Sequence, residues 1–315
     1  MIVDVIRHQF NFVNLIQIGN LILFRFVEKH GVDQLYVIGG DGTHRGAYKV
    51  FEEAQRRGLA LAVGGIPKTI DNDIDLIDRT FGFQTSVEAA QSAIRSAKTE
   101  AQSNMPNGIG MVKLMGRHAG FLASHATLSS GDVDLCLIPE EPIDLAGCTS
   151  HLETIISQKG HAVVVVAEGA GEEICKDFTG GAVDKSGNRA LPPVGDVLSK
   201  HFKDHFKSKG KEVTLKYIDP SYIVRACPAN AADGLYCMML AQNVVHGCMA
   251  GYTGFTVGLV NNRMVLIPIP MLVQGSPRVL NPNGRTWERV LTETGQLKSK
   301  VKSKQGKAEN VAILK

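Results

Sequence analysis

Leu35–Asp73 reads LYVIGGDGTHRGAYKVFEEAQRRGLALAVGGIPKTIDND, and its punctuation decides the fold. An apolar strand, LYVI, breaks on Gly39-Gly40-Asp41-Gly42-Thr43 and runs straight into a helical pattern. A second apolar strand, LALAVGGI, breaks on Pro67-Lys68-Thr69-Ile70-Asp71-Asn72-Asp73. A strand that turns into a helix over glycines aims backbone N–H groups, and the helix dipole, at an anion. Gly39, Gly40 and Gly42 let a phosphate approach the backbone, and Asp41 offers a carboxylate suited to Mg²⁺. Phosphoryl transfer needs such parts: a cradle, a metal acid, a base for the accepting hydroxyl and cations for the developing charge. Each half alone also reads as an ordinary turn, since Asp and Asn favour turns and caps. The two in this order, each after a strand, point to a phosphate-handling α/β enzyme. Pro67-Lys68-Thr69 is not a Walker loop, because the GxxxxG spacing is missing.

From Gln34 onward strands and helices alternate, which implies right-handed βαβ units and mainly parallel sheets. QLYVI, LALAVGGI, GMVKLM, DLCLIP and HAVVVVAEG are the strands. Helices are expected over Arg45–Arg57, Thr85–Ala101, near Ala119–Leu128 and Thr149–Lys159, and over Val194–Phe206 and Ala231–His246. GFTVGLVNN and MVLIPIP read as a closing hairpin. Asp177–Pro193, rich in Gly and charge, reads as a loop, and the lysine-rich last stretch is expected to fray. Ligands of doubly wound sheets sit beyond the carboxyl ends of strands. Met115-Gly116-Arg117, Glu168 and Tyr222-Ile223-Val224-Arg225 stand where strands give way to turns.

The chain of 315 residues is 44% hydrophobic and 21% charged, long enough for one large or two ordinary globular domains. A net charge of +3 does not suggest nucleic acid as a partner. Asn11–Val27 is apolar but broken by Asn14, Gln17, Asn20 and Arg25, so no membrane span is expected. The six cysteines are scattered without CxxC spacing, which reads as free thiols of a reducing compartment.

GGDGT followed by PKTIDND resembles the phosphofructokinases. The resemblance continues through FGFQTSVEAAQSAI, NGIGMVKLMGR, VVVVAEGAG, KYIDPSYIVRA and MAGYTGFTVGLVN, from about Val32 to Pro270, and is nearest to the plant-type ATP-dependent branch. It implies two Rossmann-like domains that face each other across a cleft. The donor domain would be residues 1–82 with a return over 233–275, the sugar-phosphate domain 83–232, and 276–315 a C-terminal extension. It implies transfer from ATP, with Mg²⁺, to fructose 6-phosphate in glycolysis, by an allosteric homo-oligomer, a tetramer by analogy. Asp71 would be the base for the 1-hydroxyl, with Asp73 and Arg117 as further catalytic residues. Asp41 would hold the metal, and Gly40–Thr43 the nucleotide phosphates. Thr69, Ile70, Asp71, Met115, Gly116, Arg117, Glu168 and Tyr222–Arg225 would contact the sugar phosphate.

Gly42 bears on the donor. Pyrophosphate-dependent relatives carry an aspartate there, which excludes the α-phosphate of ATP, whereas Lys68 is typical of pyrophosphate users. The plant-type ATP branch combines Gly42 with Lys68, so ATP is expected, with pyrophosphate the alternative. The family's opening strand and GG-x-x-PG-x-N turn do not occur, and about 20 residues after Ile2-Val3-Asp4 read as an insertion. The resemblance therefore implies an N-terminally truncated chain whose first domain is incomplete, with an inactive or regulatory subunit as the rival reading. NAD and lipid kinases, which share GGDGT, lack the later motifs. No Ser- and Arg-rich transit pattern is seen, so the cytoplasm is expected, although a missing N-terminus would also have removed such a signal.

Overall fold

The structure is a computed structural model that describes residues 20–175 and 190–301. Most of the expected loop over Asp177–Pro193, the first part of Asn11–Val27 and the end of the lysine-rich tail lie outside the described residues. In chain order the elements are α1 (Asn20–His30), β1 (Gln34–Gly39), α2 (Asp41–Arg56), β2 (Ala62–Pro67), α3 (Phe83–Ser103) and β3 (Gly108–Leu114). Then come α4 (Phe121–Ser130), β4 (Leu135–Leu137), α5 (Leu145–Lys159), β5 (His161–Ala167), α6 (Val194–Ser208) and β6 (Thr214–Ile218). The last are α7 (Ser221–Arg225), α8 (Ala231–Met249), β7 (Phe255–Val260), β8 (Arg263–Pro268), α9 (Ile269–Gly275) and α10 (Arg285–Thr294).

These residues form two compact units, 20–92 with 190–192 and 220–280, and 93–175 with 193–219 and 281–301. The division differs from the boundaries read in the sequence. It falls inside α3, whose helical spacing runs unbroken through the boundary. The segment 220–232 goes with the first unit, and 281–301 belongs to the second unit rather than forming an extension.

In the first unit the sheet order is β1-β2-β7-β8. β1 and β2 are parallel, in register from Gln34 opposite Ala62 to Gly39 opposite Pro67. β2 pairs parallel with β7, and β7 with β8 antiparallel, as a closing hairpin. Asn261 and Asn262, both at positive φ, make the hairpin's two-residue turn, the conformation that asparagine tolerates best after glycine. α2 buries Ala47, Val50 and Ala54, at helical spacing, while its charged residues turn outward. They pack with Val63, Ile269 and Phe24. Phe24 and Val27 of α1 are buried in that core, and the Arg57 guanidinium lies 4.5 Å from the Phe24 ring centre, so residues 20–30 are part of the unit's core. A second cluster joins Tyr236, Leu240 and Val244 of α8 to Phe255 and Val257 of β7.

In the second unit β4-β5-β3-β6 is wholly parallel, and all seven residues of β5 are buried. That is why its sequence is a continuous apolar run, with both faces of the strand covered. Ile109, Met111, Val164, Leu198, Phe202 and Phe206 form its core. The edge strand β4 is finished by a side chain: Gln296 accepts a hydrogen bond from Cys136 N (2.7 Å) and donates to Cys136 O (2.9 Å). Trp287 of α10 is fully buried and donates through Nε1 to Glu141, which also accepts from Ser299 N at 2.7 Å. Among the described residues no helix is long and apolar enough to cross a membrane. All six cysteines are free thiols.

Trp287→Ala should destabilise the second unit by about 3–5 kcal/mol, the usual cost of emptying a buried aromatic site. Urea unfolding monitored by circular dichroism would measure it, and a loss below 1 kcal/mol would mean that α10 does not belong to the core.

Candidate active site

Beyond β1 and β2 the two diagnostic loops of the sequence are hydrogen-bonded to each other. The parallel register brings Gly39 level with Pro67, and Lys68 N donates to Gly39 O at 2.8 Å. Gly40 caps α2 in an extended conformation, so Asp41, Gly42 and Thr43 form the helix's first turn, where backbone N–H groups have no helical acceptor. An ideal Cβ at Gly42 would meet nothing within 4 Å, so the space above that residue is open. Asp41 is half-buried and lies 3.6 Å from Arg45. Among the described residues no group of three or more His, Cys, Asp or Glu side chains could hold a metal ion. A lone carboxylate next to a phosphate cradle suits Mg²⁺ that arrives bound to phosphates, an ion that keeps waters and takes only one or two protein carboxylates.

His44 is fully buried beneath this turn. Its Nδ1 is 2.8 Å from Gly40 O and its Nε2 is 3.0 Å from Thr256 Oγ1, so the ring ties the turn to β7. Burial lowers its pKa, against the opposing influence of the Gly40 carbonyl and Asp41, and favours the neutral ring. Sequence reading passed over His44, because a histidine inside a helical pattern has no signature of its own.

The PKTIDND loop is held by its own backbone and by a distant arginine. Asp71 N donates to Thr69 Oγ1 at 3.2 Å, and buried Asn72, at φ 55°, accepts from Thr80 N at 2.9 Å. Arg278 donates to Asn72 O and Ile77 O, both at 2.9 Å, and its N–H meets Asp73 O at 2.7 Å. Burial lowers the Arg278 pKa, while Asp75, Asp73 and Asp78 oppose it. Arg278 is a second residue that sequence reading missed; it stands more than two hundred positions from the loop it organises.

Tyr222–Arg225 also lies in the first unit; it follows Asp219-Pro220 near the end of β6, as read in the sequence, and is helical. α7 is a single turn after β6, with the Arg225 guanidinium 5.4 Å from the Tyr222 ring centre. Tyr222 and Ile223 are exposed. Val224 is in the core, and its carbonyl accepts from Ser86 Oγ at 3.2 Å.

In the second unit, Met115-Gly116-Arg117 follows β3 and Glu168 follows β5, and the two turns lean on each other. Glu168 N donates to Leu114 O at 2.8 Å, and Gly169 N to Gly116 O at 3.2 Å. Gly116 sits at φ +132°, and a Cβ there would lie 2.6 Å from Ala119 O, so this turn requires glycine. Burial raises the Glu168 pKa, and Lys113, Arg117 and the Gly116 N–H oppose the rise. Lys113 of β3 is salt-bridged to Asp219 at 2.7 Å. It was not singled out in the sequence because it lies within the strand pattern. This part of the unit therefore combines a half-buried carboxylate and Arg117, beyond the carboxyl ends of parallel strands, with a second cation, Lys113, near the end of β3.

Comparison with known proteins agrees with these features. The sequence pattern described as Phosphofructokinase matches residues 19–248. A curated relative from Arabidopsis thaliana, ATP-dependent 6-phosphofructokinase 7, is 52% identical over 274 residues, 86% of this chain and 56% of its own. The ATP-dependent 6-phosphofructokinase of Borreliella burgdorferi is 45% identical over 279 residues, 86% of this chain and 62% of its own. The chain thus spans about half to three-fifths of the length of the curated relatives it matches. Among solved structures, a pyrophosphate-dependent phosphofructokinase from Marinobacter aquaeolei superposes with a TM-score of 0.71 at 20% identity, over 89% of this chain and 72% of the other. A Pichia pastoris phosphofructokinase gives 0.63 at 21% identity, over 88% of this chain and 30% of the other. The GGDGT and PKTIDND loops bound together beyond β1 and β2, and the match over residues 19–248, make this chain a member of the phosphofructokinase family.

Proposed function

We propose that the chain catalyses ATP-dependent phosphorylation of fructose 6-phosphate to fructose 1,6-bisphosphate. The observation that carries this reading is the Lys68 N to Gly39 O link, which joins an open phosphate cradle to the loop bearing Asp71. The curated relatives named ATP-dependent 6-phosphofructokinase support the donor and the acceptor. Gly42 supports ATP over pyrophosphate, since it carries no side chain to exclude an α-phosphate and, among the described residues, nothing lies within 4 Å of where its Cβ would stand. Lys68 favours pyrophosphate, and the donor test below weighs the two.

In this reading the first-turn N–H groups of α2 bind the donor phosphates, with Gly40, Gly42 and Thr43 closest to them. Asp41 holds Mg²⁺, which neutralises charge on the phosphates when bound. Asp71 accepts the proton of the 1-hydroxyl as that oxygen attacks the γ-phosphorus and the bond from that phosphorus to the bridging oxygen breaks, releasing ADP; Asp73 and Arg117 complete the catalytic set. Arg117 stabilises negative charge on the sugar phosphate or on the group in transfer. Glu168, ionised, accepts hydrogen bonds from sugar hydroxyls, and Thr69, Ile70, Met115, Gly116 and Tyr222–Arg225 supply further contacts. The working protein is proposed to be a homo-oligomer of the cytoplasm, under allosteric control.

A coupled assay with fructose 6-phosphate and Mg²⁺, run separately with ATP and with pyrophosphate, tests this function. Turnover with ATP is expected. Turnover with pyrophosphate alone would reverse the donor assignment. With neither donor active, fructose 6-phosphate binding measured by calorimetry would leave a sugar-phosphate-binding subunit, and no binding would remove the enzymatic reading.

Asp71→Asn should lower kcat by about 10²–10⁴-fold with a far smaller change in KM, the scale of a lost general base. Gly42→Asp should raise KM for ATP and leave fructose 6-phosphate binding unchanged, which initial-rate kinetics resolves. Lys113→Met removes a cation that helps to keep Glu168 ionised, so the carboxyl should hold its proton to higher pH. The acid limb of fructose 6-phosphate binding should then move upward, and a titration of affinity against pH would show it. An unshifted limb would separate Glu168 from sugar recognition.

A further inference from the structure

One turn after Asp41, α2 carries a charged residue that reaches beyond the cradle. Arg45 Nη2 donates to the Ser276 carbonyl at 2.7 Å and stands 3.6 Å from Asp41 Oδ2. The first contact is a charge-assisted hydrogen bond at the end of α9, where carbonyls have no helical donor. The second is too long for a hydrogen bond, and both side chains are partly exposed, so it leaves Asp41 available to another cation. A planar guanidinium with several donors can serve a carbonyl and a carboxylate at once.

Ser276 stands where the loop of the proposed base is gripped. The serine is buried; its hydroxyl accepts from Asp75 N at 2.9 Å and donates to Leu272 O at 2.8 Å. Gly275 lies so close to the loop that a Cβ there would collide with the Asp75 carboxylate. Two residues on, Arg278 N donates to Asp73 O, and its guanidinium to the carbonyls of Asn72 and Ile77. The segment 276–278 is therefore held on one side by a residue of the cradle helix, and on the other it holds residues 72–78. This link runs from Asp41 through Arg45 and Ser276 to Asp75, within the first unit, and is separate from the Lys68–Gly39 bond.

Arg45 divides its attraction between two acceptors, and the charge on Asp41 sets the division. While Asp41 carries its full charge, it draws the guanidinium away from Ser276. When a cation at Asp41 neutralises that charge, the guanidinium keeps only the carbonyl, and repulsion between like charges favours the same move. We propose that Arg45 is a positioning residue that makes the hold on the loop of the proposed base depend on the charge at Asp41. The proposal rests on the reading in which Asp41 holds Mg²⁺ and Asp71 is the base. A metal-loaded donor in the cradle then tightens the loop before the accepting hydroxyl gives up its proton.

Hydrogen–deuterium exchange of the peptide over residues 71–79 reads that hold directly. In the full chain, Mg²⁺ with ATP should slow its exchange severalfold relative to ATP with EDTA. Arg45→Met, with an unchanged far-ultraviolet spectrum, should exchange there about 10- to 100-fold faster, the scale of one hydrogen bond to a charged group. It should also lose the slowing by Mg²⁺ and ATP. Asp41→Asn supplies an arm that needs no ligand: its loop should exchange more slowly than that of the unaltered chain with nothing added. If Arg45 only capped α9, Arg45→Met would still exchange faster, but Asp41→Asn would match the unaltered chain, and the proposal would be overturned. Equal slowing by Mg²⁺ and ATP in Arg45→Met would overturn it as well. Calorimetry of ATP with Mg²⁺ keeps this proposal apart from the reading beneath it. Binding that leaves the loop unslowed overturns the proposal alone, whereas no binding removes the donor site and the metal's part in the proposal together.

Discussion

The parallel register between β1 and β2 is the constraint on which the candidate catalytic centre depends. Because Gly39 lies level with Pro67, the chain leaves both strands at the same height, and the peptide N–H of Lys68 reaches the Gly39 carbonyl. A slip of one residue would break that bond and turn every side chain of one strand to the opposite face of the sheet. The proposed phosphate cradle and the loop that carries the proposed base are therefore set by pairing within a sheet, more rigidly than side-chain contacts between two mobile loops could set them. Buried His44 adds a strut beneath the cradle, from Gly40 to Thr256, and so couples it to the neighbouring strand β7 as well.

The second unit uses the same architecture for a different electrostatic purpose. Its parallel strands end in Arg117 and Glu168, with Lys113 and Asp219 beside them. The balance of burial and cations leaves the Glu168 carboxyl easier to protonate than usual, though less so than burial alone would make it.

Most of this was legible in the sequence because glycine and strand periodicity are local signals. LYVI running into GGDGT, and VVVVA into EGAG, announce strand ends without any knowledge of the rest of the chain, and the structure puts the turns where the sequence places them. What escaped was non-local. Arg278 is an arginine in a polar stretch until its hydrogen bonds to Asn72 and Ile77 are seen, and Trp287 sits in a short helix that composition alone marks as tail. The domain boundary escaped for the opposite reason. A continuous helix such as α3 shows no break in its periodicity when it passes from one unit to the next. Asp219-Pro220 does mark the end of β6, as read, but nothing local announced that the chain then closes one helical turn over Ser221–Arg225.

The long reach of Arg278 has a consequence for the order in which the protein is made. The loop from Asn72 to Asp78 leaves the ribosome some two hundred residues before the guanidinium that holds its carbonyls. During synthesis the β1–β2 pair and α2 can form from neighbouring chain, while the segment around Asp71 must wait for the return of the polypeptide through β7 and β8. Contacts of such sequence separation form slowly and late. The turn proposed to bind phosphate can thus form in the nascent chain before the loop of the proposed base is held, and a chain released before residue 278 would keep the first without the second.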